Sequence, residues 1–303
     1  MDTRAALKSM FERCVIWSGV ARAARARVVN DSLVLAYHNV VPDDAPAIGD
    51  LPNHLPVSHF AAHLDTLRAT HDVVSLGECL GSSGPGAKPR VAITFDDAYL
   101  GALSLGVAEL VRRRMPATIF VAPGLLGGNA FWWDSVAVPG RGLDPADRKH
   151  ALCTLAGRQE PITGWQATAC RPAADLPSLW RAGAAEDVVR AASEPGISLG
   201  SHSWSHPNLT VLSPAELDAE LIRSAQWLKR QQNAVTCIAY PYGLHNAEVR
   251  AASMRAGYEA GLAVSGGWLK KSQLDRFALP RVNVPRGLSE RGLAIRAAGL
   301  LCR

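Results

Sequence analysis

The feature that most constrains this chain is the stretch RVAITFDDAY, residues 90–99, in which a short apolar segment ends in two adjacent carboxylates. Val91, Phe95 and the residues between them predict a buried strand, and such a continuous apolar run is typical of a parallel sheet or barrel. Functional residues of these sheets lie at the C-terminal ends of the strands. Neighbouring residues of an ideal strand point to opposite faces, so Asp96 and Asp97 can serve one site only where the strand gives way to a loop.

A second polar motif, SHSWSHP, follows another apolar segment at residues 196–200 and places His202 and His206 four positions apart. On one helical turn this spacing brings two imidazoles within reach of a single ion, and a carboxylate would complete a three-ligand catalytic zinc site. Taken alone, the spacing favours a capped helix start with two half-exposed histidines. Together with the TFDD stretch it favours a metal site, with Asp97 as the third ligand.

The two motifs together resemble those of the polysaccharide deacetylase family, the NodB-homology carbohydrate esterases, whose signatures are TFDDG or TFDDA and H(S/T)xxH. They stand here at residues 94–98 and 202–206, in the family's order. The resemblance covers residues 33–284 and implies a distorted (β/α) barrel with fewer than eight strands, in a single domain with an insertion. It also implies a hydrolase that removes acetyl from an N-acetylhexosamine unit of a polysaccharide or a lipid-linked saccharide.

The resemblance assigns a role to each residue of the expected site. Asp97, His202 and His206 would hold a divalent ion, Zn²⁺ first, with Co²⁺ or Ni²⁺ as alternatives that suit the same ligands. Asp96 would act as the base on the attacking water. The backbone N–H of Tyr242 would stabilise the oxyanion of the tetrahedral intermediate.

The general acid is expected in an unusual place. The family's acid histidine lies in a C-terminal L-x-H-like motif, but no histidine follows His245 in this chain. The apolar segment LVLAYHNVV, residues 33–41, instead ends its strand at Tyr37 and His38. This YH motif resembles the circularly permuted branch of exopolysaccharide and poly-N-acetylglucosamine deacetylases. Because a lone histidine after a strand is usually structural, the assignment of His38 as the acid rests on that resemblance.

A second departure from the family's pattern concerns an arginine. The segment TCIAYPYG, residues 236–243, matches the family's RPPYG motif, except that Ala239 stands where an arginine normally contacts the catalytic aspartate. Arg281, in ALPRVNV, also lies near the end of a predicted strand. We therefore expect its guanidinium to reach Asp96 and to favour the ionised carboxylate through a charge-assisted hydrogen bond.

Aromatic and polar residues near the strand ends are the candidate substrate contacts. Tyr99 lies at the exit of the central strand. Trp132 and Trp133 form either a packed lid or a platform on which sugar rings stack. Asp134 either bonds a sugar hydroxyl or caps a helix. Residues 138–195 are predicted to be an insertion in the barrel, with coverage of the cleft as one reading of its role.

Other polar residues receive no chemistry from the sequence. His54, His59 and His63 fall in a predicted loop and helix. Ser58 is expected to cap that helix, whose apolar residues share one face and leave the histidines at the surface. The glycine-rich segment at residues 81–88 lacks the spacing of a phosphate-binding loop.

Length and composition are compatible with one barrel domain. The chain has 303 residues, of which 48% are apolar and 19% charged, which argues against disorder. The net charge of +5 is concentrated at the two ends. Residues 1–30 hold six basic and two acidic residues, residues 286–303 hold four basic and one acidic, and the body between is net −2. We therefore expect a basic amphipathic extension at 1–30, the barrel at 31–285 and a basic tail at 286–303.

Two readings of the N-terminal extension stay open. Met10, Phe11 and Trp17 belong to an apolar side of a basic helix, which is typical of an interfacial membrane anchor or of a helix packed on the barrel. Charges recur through the extension, unlike a secretory signal. We expect a cytoplasmic protein, with peripheral contact to the anionic inner leaflet of the membrane. Nucleic acid is not an expected partner, because the positive charge is terminal and moderate.

Two alternatives to saccharide deacetylation remain on the sequence alone. One is a metal-dependent hydrolase of another small amide C–N bond. The other is a catalytically silent carbohydrate-binding protein, which the missing motif arginine and the displaced acid would favour. The presence of both aspartates and both histidines argues against the silent protein, because a binding module does not need a complete metal site.

Overall fold

The computed structural model describes residues 3–81, 88–169, 175–270 and 275–300. The strands are β1 (Ser32–Tyr37), β2 (Asn39–Val41), β3 (His54–Pro56), β4 (Asp72–Val73), β5 (Arg90–Phe95), β6 (Ala117–Val121), β7 (Ile197–Ser201), β8 (Ala234–Ala239), β9 (Ala260–Leu262) and β10 (Val282–Asn283). Most of the glycine-rich segment at 81–88 lies outside the described residues.

The helices alternate with these strands for most of the chain. They are α1 (Thr3–Trp17), α2 (Val20–Arg27), α3 (Val57–Thr70), α4 (Leu76–Leu80), α5 (Val107–Arg113), α6 (Trp132–Val136), α7 (Pro145–Cys153), α8 (Gln159–Thr168), α9 (Ala185–Ala192), α10 (Pro214–Leu228), α11 (Ala247–Arg255) and α12 (Glu290–Arg296). A π-helical turn, Ala102–Gly106, leads directly into α5.

Seven strands of the described chain form a parallel sheet in the order β10, β1, β5, β6, β7, β8, β9, and β4 adds a short pairing beside β5. The segment before β10 connects the two ends of this sheet. Leu279 bridges Leu262 at the end of β9, while Val282 pairs with Leu35 in β1. The sheet therefore curls into a distorted barrel with fewer than eight strands along its path, which confirms the predicted fold.

The central strands are buried because both of their faces are covered. Every residue of β1 and β6 is buried, as is all of β5 after Arg90, as expected for apolar runs in a parallel sheet enclosed by helices. The register aligns the strand ends, with Tyr37 opposite Phe95 and Phe95 opposite Ile119. Residues that follow these strands consequently meet at one rim of the barrel.

The predicted insertion, residues 138–195, lies in the longer segment between β6 and β7 and follows α6. It contains α7, α8 and α9, and residues 170–174 within it lie outside the described part of the chain. It stays attached to the barrel through backbone hydrogen bonds, including Gly183 N to Ala98 O at 3.0 Å and Asn208 N to Ala156 O at 2.7 Å. The insertion is therefore anchored close to the exit of the central strand.

The two basic ends of the chain pack against each other. Ser289, which caps α12, donates to the buried carboxylate of Glu12 in α1 at 2.6 Å, and Lys8 Nζ donates to Gly287 O at 3.1 Å. Residues 286–300 also contact α3, where His63 Nε2 donates to Leu288 O at 2.9 Å. The boundaries at 30 and 286 remain predictions, but the described part of the tail is packed on the domain.

Two surface assignments in this region are wrong. His54 and His63 are both fully buried, whereas His59 is exposed as predicted. Burial is tolerated because each ring is hydrogen-bonded, which removes most of the cost of desolvating a polar group. Ser58 does not cap α3, since the helix begins at Val57 and no side chain caps it. The predicted apolar face of α3 is nevertheless buried.

Candidate active site

The loop after β5 brings both carboxylates to one cavity. Asp97 and Ala98 have φ values of 70° and 57°, so the chain leaves the alternating geometry of a strand immediately after Asp96. Left-handed backbone is uncommon for residues other than glycine and often marks functional sites. Asp96 and Asp97 line the same cavity and are 3% and 4% exposed, as the sequence required of a shared site.

The two histidines of the second motif lie in an irregular loop after β7, and not on the helical turn that their spacing suggested. Ser203 and His206 both adopt positive φ, 62° and 61°. The Ser203 hydroxyl accepts from the His206 N–H at 3.1 Å, and the Glu220 carboxylate accepts from the N–H groups of Trp204 and Ser205. These bonds fold the loop back, so that His202 and His206 reach the same point without a helix.

Asp97, His202 and His206 form a compact candidate metal site. The two Nε2 atoms are 3.1 Å apart, and Asp97 Oδ1 lies 3.2 Å from His206 Nε2 and 3.5 Å from His202 Nε2. Ligand bonds of about 2.0–2.1 Å at tetrahedral angles would separate ligand atoms by about 3.3 Å. Asp97 Oδ1 is buried and makes no well-aligned hydrogen bond within the described residues. An oxygen left without a partner between two imidazole nitrogens fits a cation.

The protein fixes the orientation of one of these imidazoles. His202 Nδ1 donates to Ala239 O at 2.7 Å, which leaves the lone pair on Nε2 directed into the site, as metal ligation requires. Burial also lowers the pKa of His202 to about 4, so its ring is neutral at physiological pH. The residue at the position of the missing motif arginine thus contributes its carbonyl group to the site.

Arg281 contacts Asp96, as the sequence predicted. Its Nη1 and Nη2 donate to the two carboxylate oxygens at 2.7 and 2.8 Å. Thr94 Oγ1 accepts from Nη1 and Ala263 O accepts from Nε, so the fully buried guanidinium is held from three sides. Burial alone would raise the pKa of Asp96, but the charge and hydrogen bonds of Arg281 outweigh it and hold that pKa well below its usual range. Arg281 precedes β10 and does not end a strand, which corrects the local prediction.

A cavity of about 320 Å³ surrounds these groups. His38, Trp133 and Tyr242 line it together with the two aspartates and the two metal-site histidines. Seven of the eleven residues that the sequence assigned to the site therefore line the cavity, and an eighth, Arg281, contacts Asp96 in its wall. Tyr99, Trp132 and Asp134 do not line it.

Asp134 has a different role from the one predicted. It is fully buried, and its Oδ1 accepts from His54 Nε2 at 2.9 Å and from Asp50 N at 2.7 Å, while Oδ2 accepts from the Tyr99 hydroxyl at 2.6 Å. Protein groups thus engage both oxygens of this buried carboxylate, which leaves it turned away from the cavity. Asp134 instead connects the loop that begins at Asp50 to the wall of the cavity, since Trp133 Nε1 also donates to Tyr99 at 2.6 Å. The expectation that Tyr99 and Asp134 contact substrate is corrected accordingly.

The two tryptophans do not form an exposed platform. Trp132 and Trp133 are 1% and 3% exposed. Trp132 Nε1 donates to the Tyr242 hydroxyl at 2.9 Å behind the cavity, whereas Trp133 packs beside the His206 ring at a centroid distance of 4.9 Å. Of the two readings, the packed one fits, and Trp133 alone forms part of the cavity wall.

Several lining residues were not foreseen. These are Asp50, Pro52, Asn53, Arg148, Leu152, Gly243, Leu244, Val264 and Asn283. Asn283 could have been found, because residues two apart on a strand share a face and Arg281 had already been assigned to the interior. Arg148 could not, since α7 of the insertion reaches the rim only through the tertiary fold, where Arg148 pairs with Asp50.

Known proteins resemble this chain in sequence and in fold. Residues 83–261 match the family model for polysaccharide deacetylase. YxkH of Bacillus subtilis (strain 168) is 30% identical over 105 residues, which cover 34% of this chain and 37% of that protein. The chain thus spans little more than a third of this curated relative.

Solved structures share the fold at low sequence identity. The Streptococcus pyogenes deacetylase PplD, solved in complex with acetate, aligns at a TM-score of 0.60 and 19% identity, covering 87% of this chain and 96% of that one. IcaB from Ammonifex degensii aligns at 0.60 and 18% identity, covering 89% and 97%. Because the family model spans more than half of this sequence and both of its chemical motifs, the chain belongs to the polysaccharide deacetylase family.

Proposed function

We propose that this protein is a metal-dependent N-deacetylase that removes acetyl from an N-acetylhexosamine unit of a saccharide. The observation that carries the proposal is the pairing, in one cavity, of the Asp97, His202 and His206 cluster with Asp96 held by Arg281. Family membership supports the class of substrate. A solved structural neighbour was determined with acetate, the expected product.

The three clustered residues are the proposed metal ligands. When bound, the ion supplies a Lewis acid that polarises an amide carbonyl and acidifies water, which compensates for the weak basicity of a carboxylate with a low pKa. Zn²⁺ is the ion we propose first, because two imidazoles and one carboxylate with tetrahedral spacing are its usual catalytic ligands. Co²⁺ and Ni²⁺ suit the same donors.

The remaining residues of the cavity divide the proton transfers. Asp96 stays ionised because Arg281 holds its carboxylate, so it is ready to accept the proton of the attacking water. His38 lies across the same cavity and donates a proton to the departing amine. The backbone N–H of Tyr242 lies in a left-handed turn at the cavity wall, with φ of 58°, and we assign it to the oxyanion of the tetrahedral intermediate.

The size of the cavity bears on the alternatives. A volume of about 320 Å³ lies at the lower end of the range of about 300–1,000 Å³ for small-molecule sites, which suits one sugar unit. A small-amide hydrolase therefore remains the second candidate. The silent binding protein is disfavoured, because it would gain nothing from an unpartnered buried Asp97 oxygen beside two oriented imidazoles.

The test combines product release with metal analysis. We expect chelator-sensitive acetate release from N-acetylhexosamine substrates. Asp97→Ala should lose metal and activity together, whereas Asp96→Asn should keep the metal and lose about 10²- to 10⁴-fold in rate. Asp65→Asn is the control, since that carboxylate is exposed and pairs with Arg113 away from the cavity. Full activity in Asp96→Asn would remove Asp96 from its proposed role, and release of other small amides alone would favour the second candidate.

We also propose peripheral contact with the anionic inner face of a membrane, through α1. Leu7, Met10, Phe11 and Trp17 are 58%, 60%, 53% and 93% exposed on the side of the helix opposite Glu12, which faces α12. We call these four residues the apolar stripe of α1. The two N-terminal helices, α1 and α2, also carry exposed arginines. No helix among the described residues is both long and apolar enough to cross a bilayer. Co-sedimentation with phosphatidylserine vesicles, and its loss in Phe11→Ser/Trp17→Ser, would support the contact; equal recovery with neutral vesicles would contradict its electrostatic part.

A further inference from the structure

A second cavity, of about 580 Å³, lies beside the catalytic one and differs from it in charge. Lys8, His59, Arg286 and Arg296 line it, and no carboxylate occurs among its described lining residues. We call these four residues and the space between them the basic groove. The rest of its lining is Leu, Pro and Gly, so the groove offers cationic groups above an apolar floor.

Two acidic groups near the groove, Glu12 and Asp43, have partners of their own, and for Glu12 one partner is Lys8 itself. Glu12 Oε2 accepts from Ser289, and Glu12 Oε1 is 4.0 Å from Lys8 Nζ. Asp43 lies near His59 and accepts from the Ser58 N–H. The side chain of Lys8 is 55% exposed, which leaves donors of its ammonium group available to a ligand.

The basic groove and the catalytic cavity meet at Pro52, which lines both. Arg286 is fixed at this junction, because its backbone N–H donates to Pro52 O at 2.8 Å and its Nη1 donates to His54 O at 3.4 Å. The neighbouring residues Asp50 and Asn53 face the catalytic cavity. The two spaces therefore adjoin, and the basic groove opens on the side of the catalytic cavity that residues 50–53 form.

This arrangement matches the chemistry of one class of acetylated sugar. In a 2-acetamido sugar the amide is on C2, and a glycosyl phosphate is on C1, the neighbouring ring carbon. Guanidinium groups bind phosphate oxygens through charge-assisted hydrogen bonds, and ammonium groups do so as point charges. A neutral polysaccharide offers hydroxyl groups as acceptors but no negative charge to complement these cations.

Building on the proposed deacetylase function, we infer that the basic groove binds the phosphate or diphosphate at C1 of the substrate. The substrate class is then a glycosyl phosphate ester, and not a neutral polymer. A nucleoside diphosphate sugar and a prenyl diphosphate sugar share this chemistry. The apolar stripe of α1, the helix that supplies Lys8, is a reason to test the prenyl form in a membrane.

The experiment compares three substrates with the same N-acetylhexosamine. They are the methyl glycoside, a nucleoside diphosphate derivative and a prenyl diphosphate derivative in vesicles. Each is incubated with the metal-loaded full chain, and the acetate released from the substrate is measured. We expect KM for at least one diphosphate to be about tenfold or more below that for the methyl glycoside, as one or two charge-assisted bonds would give. Preference for only one of the two diphosphates would identify the source.

Substitutions of groove residues test whether the basic groove is the cause of the lower KM for the diphosphate substrate. Lys8→Gln/Arg286→Gln should raise KM for the preferred diphosphate to near that for the methyl glycoside. Arg291→Gln, which removes one exposed charge from α12 outside the groove, should keep the preference. Glucose 1-phosphate, which has no acetamide, should inhibit the parent protein competitively and the double variant about tenfold more weakly.

The possible failures are distinct. Equal KM values for the neutral and phosphorylated substrates would overturn the groove assignment and leave the deacetylase function intact. The same conclusion follows if Arg291→Gln abolishes the preference as fully as the double variant, because the effect would then be one of net charge. No acetate from any substrate, with metal bound, would overturn the proposed function itself.

Discussion

Replacing Arg281 by methionine should show how the site keeps Asp96 ionised. Both members of the pair are buried, with side-chain exposures of 0% and 4%, and they share two hydrogen bonds of 2.7 and 2.8 Å. Methionine retains much of the apolar stem but provides no charge. The variant therefore leaves a carboxylate in a site that water reaches poorly.

The expected magnitude follows from that uncompensated charge. Removing one partner of a buried ion pair costs about 3–5 kcal/mol, which we expect as a loss of unfolding free energy at neutral pH. Asp96 can escape this cost by binding a proton. Since one pKa unit corresponds to about 1.4 kcal/mol, its pKa should rise by two units or more.

The sign of the pH dependence separates this explanation from simple loss of packing. In the parent protein the pKa of Asp96 is lowered, so the ionised group stabilises the fold above the unfolded pKa of about 3.9 and loses this contribution as the pH falls. In Arg281→Met, burial without the guanidinium should raise the folded pKa of Asp96 above this unfolded value, so the ionised carboxylate then destabilises the fold. The stability deficit should thus be largest at neutral pH and shrink as Asp96 becomes protonated.

Two measurements check the reasoning. Urea unfolding between pH 4 and 8 gives the deficit, and the acidic limb of kcat/KM should move to higher pH by about two units. Arg113→Met is the control, because Arg113 also forms a two-pronged pair, with Asp65 at 2.8 and 2.9 Å, and a further pair with Glu109, and these carboxylates are 61% and 20% exposed. For Arg113→Met we expect a much smaller loss of unfolding free energy and no shift in the pH dependence of kcat/KM. A deficit independent of pH in Arg281→Met, with an unmoved acidic limb, would refute the account.

Three further predictions concern the surroundings of the site. Asp134→Ala should destabilise the fold by about 3 kcal/mol or more, because it removes the acceptor of three buried donors. Thermal unfolding measures the change in the free energy of unfolding. A loss below about 1 kcal/mol would show that the fold does not need these hydrogen bonds. Gly49→Ala should have a similar effect, because its Cβ would lie 2.7 Å from Asp134 Oδ1 at a φ of +75°, whereas Gly257→Ala is its control, with positive φ but no atom within 4 Å. Burial lowers the pKa of His63 to about 4, so only the unfolded chain binds this proton between about pH 6.5 and 4. This residue should therefore lower the free energy of unfolding by up to about 3 kcal/mol on acidification, beside the contributions of His71 and His202, whose pKa values burial also lowers to about 4. His63→Leu should make the slope of stability against pH less steep, and an unchanged slope would assign it to the other groups.

Local pattern was enough for the central strands of the sheet and for the two carboxylates that follow β5, but it did not predict the short strands β3, β4 and β9. The apolar run before Asp96 could only be a buried strand, and two adjacent carboxylates required a break immediately after it. The contact of Arg281 was predicted from the family resemblance, which leaves Asp96 without its usual arginine, because a buried carboxylate calls for another cation. Its partner is 185 positions away in sequence, and the prediction succeeded because both residues adjoin strands of one parallel sheet.

Local pattern failed wherever the meaning of a polar residue depended on its neighbours in space. His54 and His63 lie in a segment of mixed polarity, and their burial follows from contacts with Asp134 and Leu288. The spacing of His202 and His206 suggested a helix, but the Glu220 carboxylate and the Ser203 hydroxyl stabilise an irregular loop that serves the same purpose. Such bonds join groups whose proximity the fold creates.

The sequence by itself determined the buried strands and the family, and through the family the barrel and the chemical groups of the candidate site, because apolar runs and motif order are properties of the chain alone. The tertiary structure decided which groups face the cavity. It turned Asp134 into an internal support, gave Ala239 O the task of orienting His202, and brought the insertion and both basic ends to the rim. These outcomes depend on the packing of distant segments, where each hydrogen-bond partner is supplied by an element that local sequence does not specify.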